Sequence, residues 1–360
     1  MNRPMIATGI MLSLCAAAAH AGVLSYHLTD LGTLGGIDSI AYAISPEGEV
    51  VGQSSINPSS NRHAFAYGSG IMTDIGVLDG YTNSTASAVN SSGQIVGYAY
   101  TPGPGPSRNR AFSYSNGIMT DLGTLGGSGS RGLGIDAAGN VVGAADTTTG
   151  NQHAFYYSSG TMNDLGTLGG SGSVAYGINS ENVIVGSANI SDDSAYHAFS
   201  YFGGTMRDLG TLGGDYSAAY SINEIGQIVG YSVTNKTQRH AALFSGGGII
   251  DLGTLGGSSS EAYGINSAGQ IVGYAGNRAF LYTNGTMYDL NSTLDGSGNG
   301  CMLLAATSIN DSGWIVGYGT SGEGDVHAVL LSPVPEPLTM SALLLPLILA
   351  TRFARVSRQR

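Results

Sequence analysis

A segment reading Asp-Leu-Gly-Thr-Leu-Gly-Gly returns along this chain at near-constant spacing, and that periodicity restricts the fold more than any other feature. It begins at Asp30, Asp121, Asp164, Asp208 and Asp251, with weaker copies at Asp74 and Asp289, so the intervals are 44, 47, 43, 44, 43 and 38 residues. Two further motifs keep the same beat. One, of the form Ala-Tyr-Gly-Ile-Asn-x-x-Gly-Gln-Ile-Val-Gly, centres on Ile44, Val89, Ile135, Ile178, Ile222, Ile265 and Ile309. The other, His-Ala-Phe or a relative, starts at His63, Arg110, His153, His197, His240, Arg278 and His327. A unit this short cannot bury its own apolar face, so it must stack against its neighbours.

Each unit reads as four short strands. Ala-Tyr-Gly-Ile is the first, and Asn-x-x-Gly supplies a tight turn because Asn and Gly tolerate positive φ. Gln-Ile-Val-Gly-Tyr is the second. A loop follows, from four residues between Gly273 and Arg278 to twelve between Gly97 and Arg110. His-Ala-Phe-x-Tyr is the third strand, and a turn such as Asn284-Gly285 leads to the fourth, Thr286-Met287-Tyr288-Asp289-Leu290. No helical period appears. Four strands per unit predict an all-β chain: a seven-bladed β-propeller of four-stranded antiparallel blades. The phase of the ends predicts closure. Tyr26-His27-Leu28-Thr29-Asp30-Leu31 is a fourth strand with no first three before it, and His327-Ala328-Val329-Leu330-Leu331 is a third strand with no fourth after it. The N-terminal strand is therefore expected to join the last blade and remove two open edges; an open solenoid is the alternative. The second-to-third loops and the interblade crossovers fall on one rim, where binding residues are expected.

The ends carry addresses. Residues 1–21 have a charged start at Arg3, an apolar run from Met5 to Ala19, and an Ala19-His20-Ala21 cleavage pattern, the layout of a Sec signal peptide. At the other end Val334-Pro335-Glu336-Pro337 closes a Pro-rich linker over 333–337, an apolar helix is expected over 338–356, and a basic tail over 352–360 holds Arg352, Arg355, Arg358 and Arg360. Uncharged residues run from Leu338 to Thr351, so a membrane span is marginal without snorkelling arginines, whose side would be cytoplasmic. Both terminal helices lie outside the repeat fold, which is bounded at 24–332.

Without these addresses the body holds eight basic and 23 acidic residues. That balance argues against nucleic acid and anionic lipid as partners. Cys15 leaves with the signal, so Cys301 stands alone, with neither an internal disulfide nor a cysteine metal site. A lone cysteine of this kind reads as a small buried apolar residue.

Two resemblances follow from these motifs. The His-Ala-Phe, Asp-Leu-Gly-Thr-Leu-Gly-Gly and Ile-Asn-x-x-Gly-Gln-Ile-Val-Gly segments, over about residues 24–331, resemble the HAF-repeat family of bacterial extracellular proteins, with departures at Arg110 and Arg278 and in the second and seventh copies. The tail resembles the PEP-CTERM sorting signal of Gram-negative bacteria. The resemblances imply an exported cell-surface or matrix protein, with an exosortase-type enzyme as partner acting at Pro335, Glu336 and Pro337 and the membrane held at least transiently by the C-terminal helix. Exopolysaccharide or another envelope component is the implied ligand class.

No residue type in this pattern assembles a catalytic, cofactor-binding or metal site, so the only assigned positions are the sorting ones, Ala19, Ala21, Pro335, Glu336 and Pro337. The recurring Asp reads as a turn residue in preference to a Ca²⁺ ligand, since a feature present in every unit solves a problem every unit has. The recurring His reads as a structural donor, because Arg110 and Arg278 keep a donor and lose a metal ligand. Tyr42, Tyr176, Tyr220 and Tyr263, and Tyr98, Tyr231, Tyr274 and Tyr318, read as packing between blades, with stacking on sugar rings as the alternative. Three unit-specific loops stand out: Thr101 to Asn109, the acidic Ile190 to Ser194, and the polar Asn291 to Gly300. The Gly-Gly elements lack the helix and lysine of a phosphate loop. Two other function classes are weighed against a non-catalytic scaffold: a propeller enzyme acting on glycans or esters, which needs two carboxylates from different blades facing one pocket, and a Ca²⁺-stabilised surface domain.

Overall fold

The computed structural model describes residues 24–57, 61–103, 109–322 and 324–335. Ala19, Ala21, Glu336, Pro337, the signal segment, the tail helix and the middle of the 101–109 loop lie outside the described residues. Residues Ser25–Val334 form one compact unit. Among the described residues no helix is long and apolar enough to cross a membrane.

Strand pairing groups the chain into four-stranded antiparallel meanders. The first consists of Ser39–Ile44, Val50–Ser55, Arg62–Gly68 and Ile71–Gly76, hydrogen-bonded in chain order. The next five follow over 83–121, 126–164, 169–208, 213–251 and 260–289. The fourth and fifth are joined into one eight-stranded sheet by a single parallel pair, Tyr196 with Tyr216. The last is built of Met302–Ile309, Ile315–Thr320 and Val326–Pro333, and its outer strand is Tyr26–Asp30 from the other end of the chain. Tyr26 pairs with Pro333 and Asp30 with Val329, so the sheet runs one residue past the boundary read at 332. The one helical element among the described residues is a 3₁₀ turn at Leu290–Thr293, where the seventh Asp-Leu-Gly copy has eroded to Asp289-Leu290-Asn291.

Local chemistry explains each motif. The turn Asn90-Ser91-Ser92-Gly93 is held by Asn90 Oδ1, which accepts from the amides of Ser92 and Gln94. Gly93 takes φ +73°, and Asn182 takes φ +58° where the fourth unit lacks that glycine, as a residue tolerant of the left-handed region must. The glycine of Ile-Val-Gly serves a different purpose. The first strand bulges next to its tyrosine position, for example between Ala41 and Ala43, and its carbonyl crowds the second strand. A Cβ on Gly143 would lie 1.9 Å from the Arg131 carbonyl and 2.9 Å from the Phe155 ring. Phe155 stands directly opposite that glycine, fully buried, and its ring covers the backbone there. The Ile-Val-Gly and His-Ala-Phe motifs are thus two halves of one cross-strand contact.

The core lies between meanders. Val51, Ala64 and Ile75 of the first pack on Ala86, Val89, Ile95 and Phe112 of the second. Leu31, Val316 and Ala328 of the last pack in the same way on Ala41, Ile44, Val50 and Phe65 of the first. Polar ties repeat the pattern. Ser39 Oγ donates to the Gly32 carbonyl at 2.6 Å and accepts from the Ala328 amide at 2.8 Å, as Ser173 does with Gly166 and Ala154. The Asn223 side chain donates to the Asn266 carbonyl, Asn266 to Asn310, and Asn310 to Ser45 back in the first meander.

Candidate functional site

The repeated polar residues are occupied with one another. His63 Nδ1 lies 2.8 Å from Asp74 Oδ2, and His153, His197 and His240 meet Asp164, Asp208 and Asp251 at the same distance. His327 reaches Asp30 at 2.9 Å across the paired chain ends. Since a carboxylate only accepts, Nδ1 carries the proton. Arg278 replaces His and holds Asp289 at 3.0 Å, while Arg110 makes a looser ion pair with Asp121 at 3.4 Å. The other carboxylate oxygen accepts from an amide two residues on, as Asp164 does from Gly166 at 2.8 Å. The recurring Asp and His are therefore a paired strand-end device. The acidic loop is likewise occupied: Asp193 Oδ1 accepts from the Ser171 amide and the Asn189 side chain, and Asp192 Oδ1 from Ser194. Among the described residues no group of three or more His, Cys, Asp or Glu side chains is placed to hold a metal ion. Cys301 is half-buried rather than buried, and desolvation, with Asp30 nearby, raises its thiol pKa.

The tyrosines pack between meanders as expected, and they also line a hollow. The first strands of all the meanders converge on one cavity of about 420 Å³. Tyr42 comes from the first, Thr85, Ser87 and Tyr98 from the second, Leu133 from the third, Tyr176 from the fourth, Tyr220 from the fifth, Tyr263 from the sixth, and Thr307 and Tyr318 from the last. Their rings still touch, but around this hollow: Tyr176 meets Tyr220 edge-on at 5.1 Å between centroids, and Tyr220 meets Tyr263 at 5.5 Å. Burial raises the phenol pKa values of Tyr42, Tyr220 and Tyr263, and the Glu261 carboxylate adds to the last two, so these hydroxyls stay protonated donors.

Tyr176 and Tyr220 also face a larger recess of about 570 Å³, and Tyr263 and Tyr318 face another of about 550 Å³. The larger one is walled by Gly150, Asn151 and Gln152 from a second-to-third loop and its strand, and by Ser171 and Gly172 from the start of the fourth meander's first strand, which places it at the loop-bearing end of these strands. Behind it sits a polar network absent from the repeat. The buried Glu261 carboxylate pairs with Arg239 and accepts from Tyr220 at 3.2 Å. The Arg239 guanidinium carbon lies 4.2 Å from the Tyr231 ring centroid. Among the described residues no Asp or Glu lines the cavity or either recess, so the surface presented is one of aromatic rings, hydroxyls, amides and the Arg239 guanidinium.

No protein-family profile and no curated protein matches the chain. Solved structures do align. TolB from Acinetobacter baumannii covers 82% of this chain at 14% identity and a TM-score of 0.45, and this chain spans 63% of that one. A TolB-type protein from Agrobacterium tumefaciens aligns at 11% identity over 82% of this chain and 90% of its own, with a TM-score of 0.38. A triple arginine mutant of AofleA from Arthrobotrys oligospora aligns at 11% identity over 87% of each chain, with a TM-score of 0.35. These likenesses are distant, and the fold is defined by the strand pairing itself. What that pairing defines is a repeat scaffold of four-stranded antiparallel sheets around a tyrosine-lined hollow.

Proposed function

We propose that this chain is an exported, non-catalytic binding scaffold: a seven-bladed β-propeller closed by its own N-terminal strand, displayed at the cell surface and engaging extracellular polysaccharide. The observation that carries this reading is the cavity to which every meander contributes a side chain. Residues as far apart in sequence as Tyr42 and Tyr318 converge there, as a ring requires and an open row of sheets does not. The outer-strand pairing of Tyr26–Asp30 with Val326–Pro333 supports the same closure. Tyrosine faces flanked by hydroxyls and amides suit hydroxyl-rich ligands, and a body rich in carboxylates repels polyanions.

The sorting part of the proposal is that Sec export is followed by cleavage after Ala21 and by exosortase-type processing at Pro335-Glu336-Pro337, with 338–356 a transient membrane handle. It rests on the motif order of the termini. Mass spectrometry of the native protein tests it: a mature chain starting at Gly22 and ending near Pro337 is expected, and an intact tail through Arg360 refutes the processing step. A glycan array probed with residues 22–335 tests the scaffold. Binding to polysaccharide without its turnover is expected. Failure to bind any glycan, or release of cleaved sugar or ester, overturns the reading.

A further inference from the structure

One arc of the loop-bearing rim is not explained by the repeat. In each first strand the residue before the small Ala or Gly that opens the register shift faces one residue of the second strand, and in four meanders that second-strand residue is a tyrosine: Tyr98, Tyr231, Tyr274 and Tyr318. The fourth meander has Ser187 there, opposite Val174. The fifth has Ala218 where the sixth has Glu261. These short side chains open the recess of about 570 Å³, a volume in the range of small-molecule sites.

Its walls are chemically uniform in one respect. Among the described residues Arg239 is the only charged one lining it, and Glu261 behind it neutralises that charge. The other polar walls are neutral groups. Gln152 Oε1 is taken by Arg131 Nη2 at 3.1 Å, which leaves its amide NH₂ as the free donor. Tyr196 and Tyr231 share a hydroxyl contact of 2.5 Å, and the Tyr196 ring packs at a tilt against Tyr216, 4.9 Å between centroids, with Tyr216 itself 38% exposed. Aromatic faces beside uncharged donors and acceptors match a pyranose, which offers an apolar C–H face and a rim of hydroxyls that both donate and accept. Fixed cations would be needed to draw a polyanionic chain to a body with this excess of carboxylates, and among the described residues the recess has no uncompensated one lining it.

We propose that the recess bounded by Gln152, Tyr176, Tyr196, Tyr220 and Arg239 binds a neutral pyranose oligosaccharide, with tyrosine faces as platforms and Gln152 and Arg239 as hydrogen-bond donors. The proposal rests on the glycan-scaffold reading above and gives it a place and a ligand class. Arg131 acts as a positioning residue through Gln152. The test is calorimetric titration of the full-length chain in mild detergent with cellotetraose, laminaritetraose, mannotetraose and chitotetraose, and with tetragalacturonate as the anionic comparison. Two variants probe the site. Ser187→Tyr installs the side chain that four other meanders carry at that register, so it suits the fold and fills the recess. Gln152→Ala removes the free donor at the edge and covers the case in which the first variant misfolds. At least one neutral tetrasaccharide is expected to bind, with each variant weakening it at least tenfold and tetragalacturonate inert. Neutral binding untouched by both variants overturns the site and leaves the scaffold reading standing. Binding of tetragalacturonate alone overturns the neutral class. No binding of any sugar, here and on the array, overturns both.

Discussion

Ser39→Ala measures whether the first and last meanders meet as any other neighbours do. Ser39 Oγ is buried, donates to the Gly32 carbonyl at 2.6 Å and accepts from the Ala328 amide at 2.8 Å, tying residues 289 apart. Ser173 makes the same two bonds at 2.5 and 2.8 Å between the third and fourth meanders, with only 19 residues between partners. Removing the hydroxyl strands a buried amide, which costs about 1–3 kcal/mol, while the half-buried Gly32 carbonyl can turn to water. Against a total stability of roughly 5–15 kcal/mol either loss is readily measured. In a closed ring that unfolds as one unit, Ser39→Ala and Ser173→Ala subtract nearly equal amounts. Urea unfolding of residues 22–335, followed by circular dichroism and tyrosine fluorescence, would show equal drops in midpoint with an unchanged slope. If Ser173→Ala destabilises and Ser39→Ala stays within about 0.5 kcal/mol of the parent, the seam contributes nothing and the closed-ring proposal fails.

Other consequences are equally direct. Gly186→Ala places a Cβ 2.0 Å from the Val174 carbonyl and 2.7 Å from the Phe199 ring, so it should cost about 3 kcal/mol or abolish folding. Gly160→Ala, at φ +81° with open space around it, should cost only about 1–2 kcal/mol, and equal melting temperatures for the two would contradict the bulge-contact account. His153→Arg should be tolerated within about 0.5 kcal/mol because Arg278 already holds Asp289 in the equivalent pair; a drop in melting temperature matching that of His153→Leu would count against a donor role. Alkali should unfold the chain. Tyr42, Tyr220, Tyr231 and Tyr263 have pKa values raised chiefly by burial, so their contribution is intact below about pH 10, where free tyrosine ionises, and is lost as pH rises beyond it. A share of the tyrosinate absorbance should appear only together with loss of the β-sheet signal, and complete ionisation with the sheet signal intact would refute the burial.

The strands, their order within each unit and the pairing of chain ends were all legible in the sequence because each depends on local periodicity and phase. The Asp and His motifs were legible as structural residues but not as partners, although the signal was present. His63 and Asp74 stand 11 residues apart, and the same separation holds at Arg110, His153, His197, His240 and Arg278. In a hairpin of fixed length, constant separation across two strands places the two side chains together, and read jointly the motifs predict the ion pair. The tyrosines were legible as packing between meanders but not as the lining of a hollow. Tyr220 alternates correctly for a residue packed between sheets, but the bulge at Ala219–Ser221 changes the register where its ring sits, so period-2 reasoning cannot aim it. The recess was illegible for a third reason: it is made by what is missing at Ser187, Val174 and Ala218, and a small residue in a strand looks unremarked until its six counterparts are laid beside it. A repeat thus displays its scaffold through what recurs, and any site through the positions where recurrence stops; Glu261, the one carboxylate at its register position, and Arg239 beside it mark that stretch of the repeat.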